Sequence, residues 1–144
     1  MTIRAARSDD LDAIKALLAE NELPVADVTG DLLRDYVVAE DADGAVVGSV
    51  GLERFGRNAL LRSLTVAQTA RGVGLGRSLM MHVEDVARAA GISELWLLTT
   101  TAENYFQRLG YAVVKRTSAS AELLASAQFS QLCPASAVCM KKTP

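Results

Sequence analysis

The stretch Arg71-Gly72-Val73-Gly74-Leu75-Gly76 constrains this chain most. Its glycines sit between a run that reads as an apolar strand, Ala59 to Val66, and one that reads as an amphipathic helix, Leu75 to Ala90. Residues without a Cβ let backbone approach a ligand closely, and a helix N-terminus offers free N–H groups and about +0.5 of charge. The junction therefore has the makings of an anion site, with a pyrophosphate as its natural guest. The dinucleotide fingerprint G-x-G-x-x-G fails because Arg77 stands where the third glycine belongs, and a P-loop fails because no Gly-Lys-Ser/Thr follows. Spacing alone is equally compatible with an ordinary glycine turn, but Arg71 and Arg77 beside the glycines favour the anion site.

The rest of the chain reads as one domain around this loop. At 144 residues, 50% apolar and 22% charged, it is long enough to bury a core without disulfides or a structural metal. Fifteen Lys and Arg against 17 Asp and Glu leave a net charge of -2, so no global positive field attracts nucleic acid or anionic lipid. No run approaches the roughly 18 apolar residues of a membrane span, and the N-terminus passes straight into a strand-like pattern rather than a leader. A cytoplasmic location is expected. Cys133, Cys139 and the single His82 cannot supply four N/S ligands, so no metal is expected either. His82, at the edge of its helix's apolar stripe, reads as a packing residue.

Periodicity gives the element order. Ile3 to Ala6 reads as a strand, followed by a helix capped within Ser8-Asp9-Asp10 and broken at Glu22-Leu23-Pro24. A short amphipathic segment, Asp31 to Asp35, leads to three antiparallel strands, Tyr36 to Ala39, Ala45 to Leu52 and Ala59 to Val66, joined through Asp41-Ala42-Asp43-Gly44 and Gly56-Arg57-Asn58. After the long helix, with Gly91 at its C-terminal cap, Leu95 to Leu98 is apolar on both faces and marks the middle of the sheet. A short helix, Ala102 to Leu109, a strand, Tyr111 to Lys115, a weak helix, Ala119 to Leu132, and a strand, Ala137 to Lys142, complete the pattern.

Arg71-x-x-Gly74-x-Gly76 after the fourth strand, and Tyr105-Phe106-Gln107-Arg108-Leu109-Gly110-Tyr111 about thirty residues later, resemble the two signatures of the GNAT superfamily of acetyl-CoA-dependent N-acetyltransferases. The resemblance implies a three-layer α+β fold: a mixed central sheet of about seven strands, helices on both faces, and fourth and fifth strands that splay to admit the pantetheine arm. It further implies that Leu64 and Val66, with Thr65 between them, line the pantetheine and acetyl group. Amides of Val73, Gly74, Gly76 and Arg77 would cradle the pyrophosphate, with Gly72 and Leu75 in the same loop and Arg71 adding charge. Leu23-Pro24, Gly51-Leu52-Glu53, Leu60-Leu61-Arg62-Ser63-Leu64, Thr99-Thr100-Thr101-Ala102-Glu103 and Leu132 to Met140 are similar, more narrowly, to acetyltransferase-like proteins of bacterial arsenic-resistance operons. That likeness implies a small amine acceptor of acidic, amino-acid-like arsenical or phosphinate type, in resistance or detoxification.

Amine acetylation needs a neutral nucleophile, a polarised thioester carbonyl and a proton for the departing thiolate. Glu53, ending the third strand, is the candidate general base, with Glu103 as competitor. The backbone N–H of Leu64 or Val66 would polarise the carbonyl. The position that commonly carries the family's tyrosine acid holds Phe106, which cannot donate. Tyr105 has a phenol, but a helical step of about 100° separates it from Phe106 and turns it toward the core; water or the amine itself is the substitute donor. Thr99 stands where many members have Asn. Arg54 and Arg62 are candidate forks for an acidic acceptor, while Arg57 is expected to be solvated. Two other functions fit the same sequence: a non-catalytic acyl-CoA-binding module, and a thiol-based arsenical binder using Cys133 and Cys139. A homodimer through a sheet edge near the C-terminus is compatible with the pattern.

Overall fold

The computed structural model describes residues 1–144 except 24, 27 and 133–135, and the side chains of 131 and 132; the expectations for Pro24 and Cys133 fall outside the described residues. Seven strands form one mixed sheet in the order β1-β2-β3-β4-β5-β7-β6. They are β1 (Thr2–Ala5), β2 (Tyr36–Glu40), β3 (Val46–Phe55), β4 (Asn58–Val66), β5 (Glu94–Thr99), β6 (Ala112–Val113) and β7 (Val138–Lys142). The β4–β5 pair is parallel and every other pair antiparallel. The middle of the sheet is β4, with the doubly apolar β5 beside it.

Helices cover both faces. The helix α2 (Leu75–Ala89) lays Leu75, Leu79, Val83 and Ala87 on one face, against Leu52, Leu61, Leu95 and Leu97. The short α3 (Glu103–Arg108) adds Phe106 to the same core. On the opposite face, α1 (Leu11–Glu20) packs Ile14 and Leu18 against Tyr36 and Val38. Beside it, the one-turn α4 (Ala121–Leu124) packs Leu123 against Leu60 and Trp96.

Local chemistry sets the boundaries. The Asp10 carboxylate accepts from the Arg7 N–H at 2.6 Å and from both Arg4 nitrogens at 2.8 and 3.0 Å, fixing the entry to α1 against β1. Gly91, at φ +77°, ends α2, with the Ile92 N–H returning to the Ala87 carbonyl at 3.0 Å. On α2, Glu84 is buried but satisfied by the Tyr111 hydroxyl and the Lys142 ammonium, each at 3.0 Å, so that helix is pinned to the far end of the sheet.

Three expectations are corrected. The predicted helix from Ala119 to Leu132 is α4 followed by a single wide turn, Gln128–Leu132. Its serines compete for the backbone: the Ser126 hydroxyl donates to the Leu123 carbonyl at 2.7 Å and Ser130 to Ser126 at 2.8 Å. The strand predicted from Tyr111 to Lys115 shrinks to two residues because the Tyr111 ring turns into the core. His82 is exposed on α2 instead of packed.

Candidate active site

The β4–β5 ladder runs only from Asn58↔Glu94 to Leu60↔Trp96. Beyond it, β4 stays paired with β3 and β5 with β7, so the two strands diverge with unpaired edges facing each other. Ala67 donates to Val47 on the β3 side at 2.8 Å. Backbone groups alternate along a strand, which directs the amides of Leu64 and Val66 toward the gap. The Val66 carbonyl indeed lies on that side, where the Arg71 Nε donates to it at 3.0 Å. The Arg71 guanidinium also reaches the Asn21 side chain after α1.

At the mouth of the gap sits the N-terminus of α2. Its first intrahelical bond runs from the Ser78 N–H to the Gly74 carbonyl, so the amides of Leu75, Gly76 and Arg77 lie ahead of the helical ladder. No acidic residue occupies the first turn. Gly72 and Gly74 take φ +89° and +77°, and a Cβ on either would project into open space rather than against protein. The cleft here is about 460 Å³ and is lined by Leu64, Thr65, Val66, Arg71, Gly72, Gly74, Leu75, Gly76 and Arg77. Val73 is not in that lining; its side chain is 72% exposed.

A second cleft of about 300 Å³ lies deeper in the splay, on the α1 side, and shares Leu23, Leu64 and Tyr105 with the first. Thr99 and Phe106 line it. The Thr99 hydroxyl accepts from the Ala102 N–H at 3.0 Å, shaping the turn into α3. Both aromatics line this cleft and pack on the core, Phe106 fully and Tyr105 in part. Phe106 is buried edge-on to Tyr111, with ring centroids 5.7 Å apart, while Tyr105 turns its hydroxyl to where a Cβ on Gly76 would lie, 2.9 Å away. Burial pushes the Tyr105 phenol up, opposed by the charges of Arg108 and Arg77, so it stays protonated at neutral pH.

The expected acceptor residues do not gather in the same way. Arg62 lines the deeper cleft, but its side chain is 0% exposed and donates to Glu53 at 3.0 Å. Glu53 lines neither this cleft nor the first; it opens with Arg54 onto a third cleft of about 650 Å³, where Arg54 donates to Asp35 at 2.7 Å. Glu53, the expected base, is thus paired with a buried guanidinium and faces a different cleft from the two in the splay. Sequence reading missed Glu22. Among the described residues it is the one carboxylate that lines either cleft. It occupies φ +59° just past α1, where the Glu22 N–H bonds the Ala19 carbonyl at 3.2 Å and the Leu23 N–H bonds Leu18 at 2.9 Å. Such a helix end normally takes glycine, and the available signal was a glutamate where a glycine was due. Cys139 is buried among Leu60, Trp96 and Phe129, and burial raises its thiol, which makes it a poor soft-metal ligand. Among the described residues, no cluster of three or more His, Cys, Asp or Glu is arranged to hold a metal, and no helix is long and apolar enough to cross a membrane.

The frame of the site is thus a mixed sheet that opens between its parallel neighbours onto a glycine loop at a helix N-terminus. Residues 33–113, more than half of the chain, match the family model described as the acetyltransferase (GNAT) domain, and the chain belongs to that family. It is 36% identical over 81 residues to streptothricin acetyltransferase of Streptomyces lavendulae, covering 52% of this chain and 43% of that one. It is 37% identical over 71 residues to an amino-acid acetyltransferase of Ralstonia nicotianae, covering 48% and 16%. The chain thus spans less than half the length of these two curated relatives. Among solved structures, Rv2747 of Mycobacterium tuberculosis, in complex with CoA and a second ligand, matches at TM-score 0.83 and 22% identity over 100% of this chain and 99% of that one. N-acetylglutamate synthase of Neisseria gonorrhoeae, complexed with coenzyme A and N-acetyl-glutamate, matches at 0.84 and 23% over 99% of this chain and 34% of that one.

Proposed function

We propose that this chain transfers the acetyl group of acetyl-CoA to the amine of a small molecule in a ternary complex. The observation that carries this reading is the broken β4–β5 ladder opening onto the α2 cradle. The gap accepts an extended pantetheine as an added strand, and the glycine loop leaves room for a pyrophosphate. Acetyl-CoA supplies the activated thioester. The Leu64 amide donates to the thioester oxygen as negative charge develops there. Glu22, from the α1 side, meets the acceptor's ammonium and takes its proton directly or through one water. The N–C bond forms and the C–S bond breaks; Tyr105, which lines both clefts, gives its proton to the sulfur and takes back the one that the acylated nitrogen must lose.

The acidic acceptor was expected from Arg54 and Arg62 and from the narrower likeness to arsenic-resistance proteins; the two arginines are each engaged with a carboxylate of the chain. Amino acids and streptothricin, which stand in the names of the two curated relatives, are the first amines to test, beside acidic amino-acid-like ones. The experiment is calorimetric titration with acetyl-CoA and with CoA, followed by thiol-release assays across a panel of primary amines. Saturable binding of both nucleotides and amine-dependent thiol release are expected. Folded protein that binds neither overturns the reading, and binding without turnover on any amine leaves a non-catalytic acyl-CoA module in its place.

A further inference from the structure

Ser63, inside β4, has φ +59°, a conformation that residues with a Cβ disfavour and that is foreign to a strand. The sheet register explains where it arises. Pairing of β3 with β4 passes from Ser49↔Thr65 to Gly51↔Arg62, so Ser63 and Leu64 together face Val50, and β4 carries a bulge at that point. The bulge falls where β4 leaves β5, and Ser63 and Leu64 both line the deeper cleft.

Two buried side chains hold it. The Tyr36 hydroxyl lies 2.7 Å from the Ser63 Oγ, and the Ser49 hydroxyl donates to the Ser63 carbonyl at 2.8 Å. Tyr36 is 1% exposed and Ser49 0%. The Tyr36 ring reaches Ser63 by crossing Gly51, where a Cβ would lie 2.0 Å from it, so the glycine is required for the contact. A tyrosine, a serine and a glycine from two neighbouring strands thus converge on one unfavourable backbone angle.

We propose that Tyr36 and Ser49 are positioning residues for acetyl transfer: they hold Ser63 in its left-handed conformation and so aim the Leu64 amide into the cleft. This rests on the acetyl-transfer reading above. Neither side chain touches the reacting groups, and neither lines the cleft at the α2 cradle. Losing them lowers the rate of the chemical step and leaves nucleotide binding intact.

The test uses Tyr36→Phe, Ser49→Ala and the double variant Tyr36→Phe/Ser63→Gly. Tyr36→Phe keeps the ring over Gly51 and removes only the hydroxyl. It is expected to lower kcat about tenfold or more, with acetyl-CoA affinity by titration within about twofold of wild type. Glycine adopts a positive φ without strain, so the double variant is expected to recover most of the lost kcat. A purely structural role for Tyr36 predicts no such recovery. An activity-independent readout is the Leu64 amide resonance of 15N-labelled protein with and without acetyl-CoA. It is expected to shift with acetyl-CoA in wild type, to lose that response in Tyr36→Phe, and to regain it in the double variant. Wild-type kcat in Tyr36→Phe, failed recovery with Ser63→Gly, or an unaltered Leu64 response overturns the proposal. Should the wild type bind nucleotide yet turn over no amine, the acetyl-transfer reading falls, and the proposal falls with it unless the Leu64 response still follows the Tyr36 hydroxyl.

Discussion

Replacing Glu22 with glycine is expected to make the protein more stable and less active. Glu22 sits at φ +59° in the bond pattern that closes α1, and an L-residue in the left-handed region costs about 1–2 kcal/mol relative to one in the right-handed region. Glycine removes that strain but widens the unfolded ensemble, a loss of about 0.4–1 kcal/mol. The difference favours Glu22→Gly by about 0.5–1 kcal/mol, a rise in Tm of roughly 1–4 °C for a chain of this size. The carboxylate's other role points the opposite way. An ammonium within about 4 Å of a carboxylate in a partly hydrated cleft gains at least about 1 kcal/mol, so its removal is expected to raise the acceptor KM at least about fivefold. Glu22→Gln separates the two effects, since it keeps the strain and discards the charge: its Tm stays at the wild-type value and its acceptor KM rises. Thermal unfolding by circular dichroism gives the first quantity, and steady-state kinetics at saturating acetyl-CoA the second. A lower Tm in Glu22→Gly refutes the backbone reasoning, and a wild-type acceptor KM in Glu22→Gln refutes the assignment of the carboxylate.

Four further outcomes are expected. Tyr105→Phe lowers kcat with little change in acetyl-CoA affinity, and a shared loss of both would make Tyr105 a binding residue instead. Gly76→Ala sets a methyl 2.9 Å from the Tyr105 hydroxyl; titration is expected to show weaker nucleotide binding, much of it restored in Gly76→Ala/Tyr105→Phe, and no restoration would dissociate the two residues. Glu53→Ala removes one hydrogen bond of 3.0 Å from the buried Arg62 guanidinium and is expected to cost about 1.5–3 kcal/mol in denaturant unfolding, the range for a hydrogen bond to a charged group; unchanged stability would refute a contribution from the pair. Arg4, reinforced by the Arg7 amide and opposed by burial, holds the Asp10 carboxyl below the ordinary carboxylate range. A depressed carboxyl stabilises the fold above its unfolded pKa and loses that contribution as pH falls through the folded value. Asp10→Asn is therefore expected to lose about 2 kcal/mol at neutral pH and to flatten the stability profile below about pH 4, and an unaltered acid limb would refute it.

What could be read from sequence divides along a physical line. The α2 helix, its Gly91 cap, the Asp41–Gly44 turn and the glycine cradle were legible because each is decided by neighbours in the chain: a 3.6-residue stripe, a φ that only glycine takes freely, or an Asp side chain reaching two residues on. The Ala119 to Leu132 segment was not, because three serines, Ser120, Ser126 and Ser130, offered the backbone other partners at close range and only tertiary contacts decided among them. The site divides the same way. Backbone donors in the splay follow from strand order, whereas side-chain roles depend on which rotamer meets which neighbour across the sheet. Glu53 and Arg62 both suit catalysis by residue type, yet the register sets them close enough to pair with each other. Tyr105 packs on the core yet keeps its hydroxyl toward Gly76, because the Tyr111 ring, itself held by Glu84, takes the place beside Phe106. The residues that sequence misjudged are those fixed by long-range contacts, and the two strained backbone positions, Glu22 and Ser63, lie on the deeper cleft. Strain held in place by surrounding structure is characteristic of sites under functional constraint, and here it falls on two residues that line the cleft in which the amine is proposed to react.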